Sequence, residues 1–508
     1  MKGVPMPRRR SWARNLRRLV SLSSATLFVV VALGATSFHA AVAPPAAATG
    51  YTAAVEPAPG QTIAGFGASG AWWPSWLASF PASVKRQVAG MLFGPQGLAL
   101  SQYRYNIGGG GAGVDVWYKA APTFLVRPGV YDWSRDQAGR SFLELAAQYH
   151  VPQLIGFVNS APPQFTTNHR SCGGRLIPGD EAAFAAYLAD VVRHFEVADH
   201  ITLSYVSPMN EPDSPQATCH QEGMVVPVRQ RAVVLDDLAS RLRAESPSTQ
   251  VIGDETSLVS QLYREYPAWL GQAGPDIAAV AHHTYDYPTP AELAPLSHLP
   301  VAHWASEVCC FNGRTFGWQY DPTMDSGMWL ANTIWGDLAV AHDSAFDWWV
   351  ALSPNMGCPP TTPGCATTMN YRGRNDGLVY FDRFHGTDGN TRLYTTKRYW
   401  TLANFSRYVR PGAVLHDVAG LPPDVHAAAF QQRSNWVVVA IDNGVRGNID
   451  LSFTLPGGAQ AHSVRALVTD ARHNLAPARA GMDGDRVRVV LSPQSVTTVL
   501  VGPHRPGR

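Results

Sequence analysis

Short apolar runs alternate with amphipathic helical stretches through most of this chain, and that alternation restricts the fold more than any other feature. Leu98 to Ile107 reads as the first strong strand, Val130 to Trp133 as a weak second and Gln153 to Asn159 as a third. Ile201 to Val206, Val251 to Asp254, Ile277 to His283, Val301 to Ser306 and Ala345 to Leu352 continue the series. Helical patterns fall between them, at Glu181 to Phe195, Val228 to Glu245 and Met324 to His342. Strand, helix, strand in regular turn calls for a parallel sheet, and eight such units close into a (β/α)8 barrel.

Residues 354–375 read as a long loop, and Thr395 to Val409 as a closing helix. From Pro411 the texture changes to short alternating segments, such as Trp436 to Ile441 and Val487 to Leu491, a β-sandwich pattern. Tyr51 to Ile63 reads as one or two short strands. The expected plan is a secretion signal over 1–48, N-terminal strands over 49–64 that join the sandwich, the catalytic barrel over 65–409 and a β-sandwich side domain over 410–503.

The first fifty residues carry the mark of an export signal. Six arginines from Arg8 to Arg18 precede the apolar stretch Leu19 to Ala35, and small-residue cleavage candidates follow at Ala41-Val42-Ala43 and Ala46-Ala47-Ala48. Arg9-Arg10 also suits a twin-arginine signal. This segment holds seven Lys or Arg and no acid, so the mature chain has 33 basic residues against 38 acidic ones, near −5. A mildly acidic surface gives no electrostatic case for nucleic acid or polyanions. The expected protein is secreted, monomeric and free of the membrane once the signal is removed. Its six cysteines then suit disulfides. Cys172 with Cys219 is the favoured pair, and Cys358 with Cys365 could close a small loop. The neighbours Cys309 and Cys310 stay open, because a bond between them would be strained. A zinc site is the rival reading, against which stands the absence of paired CxxC motifs.

Two strand ends carry chemistry. Ile201 to Val206 delivers Asn210-Glu211-Pro212, and Val301 to Ser306 runs into Glu307. Two glutamates at strand C-termini supply the acid/base and nucleophile of a retaining glycosidase, needing a separation of about 5–5.5 Å. The acid/base, assigned to Glu211, should have its pKa raised, while Glu307 as nucleophile stays ionised. Asn210 would contact a sugar hydroxyl at C2. Arg104, inside an apolar strand, needs a buried anion, and the nucleophile is the natural one. His282 and His283 face opposite sides of their strand, so they do not share a metal. Tyr285 could donate to the nucleophile, and Asp254 and Glu255 are rival carboxylates. Of Trp348-Trp349, Trp348 is assigned to the barrel mouth. The glycine-rich Gly65 to Gly70 and Gly108 to Gly111 lack the Lys-Ser/Thr ending of a nucleotide loop, and read as tight turns or close approach to a sugar. No metal and no cofactor is expected.

Gly65-Phe66-Gly67-Ala68, Arg104 to Gly109, Asn210-Glu211-Pro212, His283-Thr284-Tyr285, Ser306-Glu307 and Trp348 follow one another in an order that resembles glycoside hydrolase family 30. The resemblance covers about residues 60 to 502 and implies a retaining (β/α)8 glycosidase with a side β-sandwich. It implies Glu211 as acid/base and Glu307 as nucleophile. It also implies sugar contacts from Arg104, Asn159, Asn210, His283, Tyr285, Trp348 and Trp73. Asn159 stands where some members carry Trp. Trp72-Trp73 with Tyr105 to Gly110 looks most like the β-1,6-galactanase branch, which implies an endo-enzyme acting on arabinogalactan. The alternatives are a β-1,6-glucanase, a xylanase or a glucosylceramidase-like enzyme, and, from another class, a non-catalytic carbohydrate-binding barrel.

Overall fold

Eight parallel strands close on themselves: β1 (Gly65–Ser69), β2 (Gln102–Asn106), β3 (Gln153–Phe157), β4 (Tyr205–Ser207), β5 (Gln250–Thr256), β6 (Ile277–His283), β7 (His303–Val308) and β8 (Ala345–Ser353). Each pairs with the next in sequence, and β8 pairs with both β7 and β1, which seals the barrel. The computed structural model describes residues 49–314, 319–458 and 463–502. The expected export signal lies outside them. Among the described residues no helix is long and apolar enough to cross a membrane.

Helices cover the outside. Glu181–Val197 buries Phe184, Leu188, Val191, Val192 and Phe195, the stripe that its spacing predicts. Gln137–Gln148 is capped by the Asp136 carboxylate, which accepts from Gly139 N. The lower interior is filled by Ile155, Ile252, Ala279, Ala281, Trp304 and Ala345. Those side chains make the barrel a packed core and leave its C-terminal mouth as the open end.

Strands three to eight match the sequence reading, but the first two do not. Val130–Tyr131 is no barrel strand; it pairs antiparallel with Leu125–Arg127 around Gly129, whose φ of +71° suits a tight turn. Leu98 to Ile107 supplies β2, and the first barrel strand is Gly65–Ser69, read from sequence as a turn. Its glycines answer to crowding. A Cβ on Gly67 would fall 2.0 Å from Asp347 Oδ1 of the neighbouring strand.

The sandwich has a five-stranded sheet that includes Thr49–Val55, Ile449–Thr454 and Arg486–Leu491, and a six-stranded sheet centred on Val425–Gln432, Asn435–Asp442 and Ser495–Gly502. Thr49–Val55 runs parallel to Ile449–Thr454, so the start of the described chain is woven into its end. Phe405 of helix Lys397–Ser406 shares one apolar core with barrel Phe66 and sandwich Phe430 and Ile441. Trp335 Nε1 donates to Ala427 O at 3.2 Å across the junction.

Three disulfides form: Cys172–Cys219, Cys358–Cys365 and, settling the open question, Cys309–Cys310. The first joins the loops that follow β3 and β4, across a separation of 47 residues; Cys358–Cys365 spans only 7. In the chain-entropy account the longer bridge stabilises by about 4 kcal/mol and the shorter by about 2.5 kcal/mol. Denaturant unfolding of C172S/C219S should therefore show the larger loss of midpoint, and that of C358S/C365S the smaller.

Candidate active site

The strand C-termini open into a cleft of about 580 Å³ bordered by Trp72, Trp76, Tyr118, Lys119, Asn210, Glu211, Tyr285, Glu307, Cys310, Trp349 and Arg374. Glu211 follows β4 through Pro208-Met209-Asn210 and has a φ of +44°. Its backbone N donates to Glu255 O at 2.9 Å, which holds that left-handed turn in place. Glu307 belongs to β7, where a bulge shifts the register against β6 and β8. One oxygen of Glu211 and one of Glu307 lie within 4.8 Å of each other.

Cations and anions interlock beneath this pair. Arg104, fully buried on β2, donates from Nη1 to Glu307 Oε2 at 2.9 Å and from Nη2 to Glu255 Oε1 at 3.3 Å. Its Nη2 also reaches Asn210 Oδ1 at 3.4 Å, and the guanidinium lies 4.4 Å from the Phe157 ring centroid. Tyr285 Oη donates to Glu307 Oε1 at 2.8 Å. His283 places Nε2 3.0 Å from Glu255 Oε2, and Nδ1 3.5 Å from Glu211 and 3.6 Å from Glu307.

Burial opposes charge on His283, but Glu307, Glu211 and Glu255 outweigh it and raise the imidazole to about 10. Burial also opposes the Glu255 anion, yet Arg104, His283 and Ser306 hold that carboxyl at about 2. Two buried cations thus face two buried carboxylates, Glu255 and Glu307. The sequence reading expected Glu211 to be the raised carboxyl. Glu307 is the deeper of the two, its side chain 4% exposed against 16% for Glu211. Burial and the charge of Glu211 push Glu307 up, against the pull of His283 and Arg104.

Several predicted contacts are relocated. Asp347, on β8, points to the Arg104 cluster, so its strand neighbour two residues on, Trp349, faces the cleft and packs edge-on against Trp72 at 4.9 Å. Trp348 is turned the other way. It is buried near Trp329 and Arg398, with Nε1 donating to Asp376 O at 2.6 Å, so it is no mouth residue. Trp73 borders the cleft, but its ring is buried against Phe142 at 4.5 Å, and the ring offered to the cleft is that of Trp72. Asn159 is buried, donates to Asn106 Oδ1 at 3.2 Å and does not line the cleft. Arg104 and His283 are also fully buried, and they meet the cleft only through the carboxylates they contact. The Gly108 to Gly111 run spends two backbone donors on the buried Glu222 carboxyl, from Gly109 at 3.1 Å and Gly111 at 2.8 Å.

Glu255, Asp347 and Glu222 are the site residues that the sequence reading did not select. Asp254-Glu255 at a strand end was the one visible signal. Of that pair Asp254 faces outward to Arg231 at 2.6 Å, and Glu255 faces the site. Two groupings have metal-ligand spacing among the described residues: Glu211, His283 and Glu307, and His282, His303 and Asp343 outside the barrel. His283, raised to about 10, would have to give up its proton to hold a metal in the first group. In the outer group Asp343 Oδ1 lies 3.0 Å from His282 Nε2 and 2.8 Å from His303 Nδ1.

Residues 54–278 match the family model described as O-Glycosyl hydrolase family 30. Glucuronoxylanase XynC of Bacillus subtilis (strain 168) is 33% identical over 108 residues, 21% of this chain and 25% of that protein. The chain thus spans about a quarter of the length of this curated relative. Among solved structures, the catalytic domain of GH30 xylanase C from Talaromyces cellulolyticus has a TM-score of 0.71 at 24% identity, covering 89% of this chain and 100% of that one. A conserved exported protein from Bacteroides fragilis has a TM-score of 0.73 at 21% identity, with the same coverage. These structures share the fold. The family match supports an O-glycosyl hydrolase.

Asp347 yields a pH test. Burial, with Glu255 and Glu307 nearby, outweighs Arg104 and raises its carboxyl to about 8. Below pH ~4 the group is protonated whether the chain is folded or not. From there up to about 8 only the unfolded chain loses the proton, so the group costs stability progressively, by at most about 1.4 kcal/mol per pH unit. Asp347→Asn removes that dependence. Its unfolding temperature relative to wild type should climb between pH 4.5 and 8 and level off above; a constant difference would contradict a neutral Asp347.

Proposed function

We propose that this protein is a retaining endo-glycosidase that cleaves a β-linked polysaccharide by double displacement. The observation that carries the reading is the pair Glu211 and Glu307, with oxygens within 4.8 Å in one cleft. That proximity suits retention, whereas inversion leaves about 6.5–9.5 Å for a water. Glu211, at the cleft edge, protonates the glycosidic oxygen while Glu307 attacks the anomeric carbon and forms a glycosyl ester. Glu211 then takes a proton from water, which displaces Glu307 and restores the original anomeric configuration. Arg104 and Tyr285 orient the two oxygens of Glu307, and His283 and Arg104 favour its anionic form.

The substrate proposed is β-1,6-galactan, on the likeness of Trp72-Trp73 and Tyr105 to Gly110 to the galactanase branch. A binding path longer than one sugar is supported by aromatic rings beyond the carboxylates: Trp76 lies 4.8 Å from Trp117 and 5.2 Å from Tyr118, and Trp117 is 60% exposed. A second reading, glucuronoxylan, is favoured by the curated relative's activity and by Lys119 and Arg374 on the cleft wall, which would suit a uronate. Three disulfides fit an exported protein working in an oxidising compartment.

Glu307→Gln should lower turnover by on the order of 10⁴ or more. Glu211→Ala should be rescued in part by azide on a substrate with an activated leaving group, and a folded variant without rescue would contradict the acid/base role. The substrate is tested on arabinofuranosidase-trimmed arabinogalactan, pustulan and glucuronoxylan. Galacto-oligosaccharides of several lengths from the first alone are the expected result. Release from glucuronoxylan alone would exchange the first reading for the second, and silence on all three would overturn both.

A further inference from the structure

The Cys309–Cys310 disulfide borders the same cleft as Glu211 and Glu307, directly after the end of β7 and two residues beyond Glu307. A bond between chain neighbours encloses no loop and so removes almost no conformational freedom from the unfolded chain, unlike the bridges across 47 and 7 residues. Stabilisation is therefore a poor account of it. What the bond does is local: it locks the shape and chemistry of one piece of cleft wall.

That piece is held from behind. Tyr287 Oη donates to Cys309 O at 2.9 Å, and the Tyr287 ring stacks on Phe311 at 5.1 Å, with Trp329 edge-on to Phe311 at 5.7 Å. Cys310 takes a φ of +83° and is half-buried, while Cys309 is buried. A disulfide has no N–H or O–H to donate, and its sulfurs are polarizable and apolar. It lines a cleft that carries the polar groups of Glu307, Tyr285, Asn355, Arg374 and Asp376 together with the rings of Trp72, Trp76 and Trp349. A pyranose has a matching pair of surfaces: hydroxyls at its rim, and C–H groups on its faces.

We propose that the Cys309–Cys310 disulfide is a specificity-determining facet of the cleft, against which the C–H face of a neutral hexopyranose packs, one residue along the chain from the sugar held at the carboxylates. The proposal rests on the glycosidase reading above. It assigns the disulfide to binding, with no part in the chemical step.

The test compares C309A/C310A with wild type on a glycosyl fluoride, which is too short to reach the facet, and on oligosaccharides of two to five units of the same sugar. The ratio of oligosaccharide to fluoride kcat/KM should fall about tenfold, through KM. Calorimetric affinity for the oligosaccharide should fall by the same factor when the two substitutions are added to Glu307→Gln. An unchanged ratio and affinity would overturn the facet and leave the glycosidase intact, as would a parallel loss on both substrates. Wild-type enzyme that turns over neither the fluoride nor any glycan would overturn the glycosidase reading and the facet together. If the alanine pair fails to fold, C309S/C310S, closer in volume, is measured in the same way.

Discussion

A guanidinium sealed inside a parallel barrel is the constraint around which this molecule is arranged. Arg104 has no exposed surface, so its charge must be met by protein groups. Glu255 and Glu307 meet it from the far strands β5 and β7, and His283 of β6 links both carboxylates to Glu211. Removing one member of such a cluster leaves a buried charge uncompensated, at a typical cost of about 3–5 kcal/mol. The groups that pair with the two carboxylates are therefore also the groups that bind four strand ends together.

Much of the neighbouring structure accommodates that cluster. Asp347 comes close enough to feel Arg104, Glu255 and Glu307, yet its oxygens find no hydrogen-bond partner among the described residues, and it is kept neutral by burial. Gly67 leaves out the side chain that would collide with it. On the outer face of the same strands a second polar group forms, where Asp343 joins His282 to His303 and is held at about 2 by those two imidazoles against burial. Adjacent residues His282 and His283 serve the two networks because a strand sends successive side chains to opposite faces.

Features set by local sequence were legible in the chain, and features set by distant contacts were not. Helix Glu181–Val197 and strands three to eight were legible because apolar periodicity is a local property. Gly65–Ser69 was not, because a strand whose side chains are nearly absent has no periodicity to display. Val130 to Trp133 has strand-like residues, and only Gly129 hinted that they fold back as a hairpin. At the site, Asn210-Glu211 and Glu307 stood out because each ended an apolar run. Glu222 did not, since it lies in a loop and its role depends on Gly109 and Gly111 approaching from about a hundred residues away.

From its residues alone this chain specified a barrel of alternating strands and helices, a sandwich after it, and two glutamates at strand ends. Those properties follow from local patterning, which burial enforces one element at a time. The tertiary structure decided the rest: that Trp349 and not Trp348 faces the cleft, that Glu307 is more deeply buried than Glu211, and that Glu255 anchors Arg104. Alternation along a strand says that neighbours part, but not which one points inward. That parity, like the depth of a carboxylate, is set by which groups from other strands occupy the space.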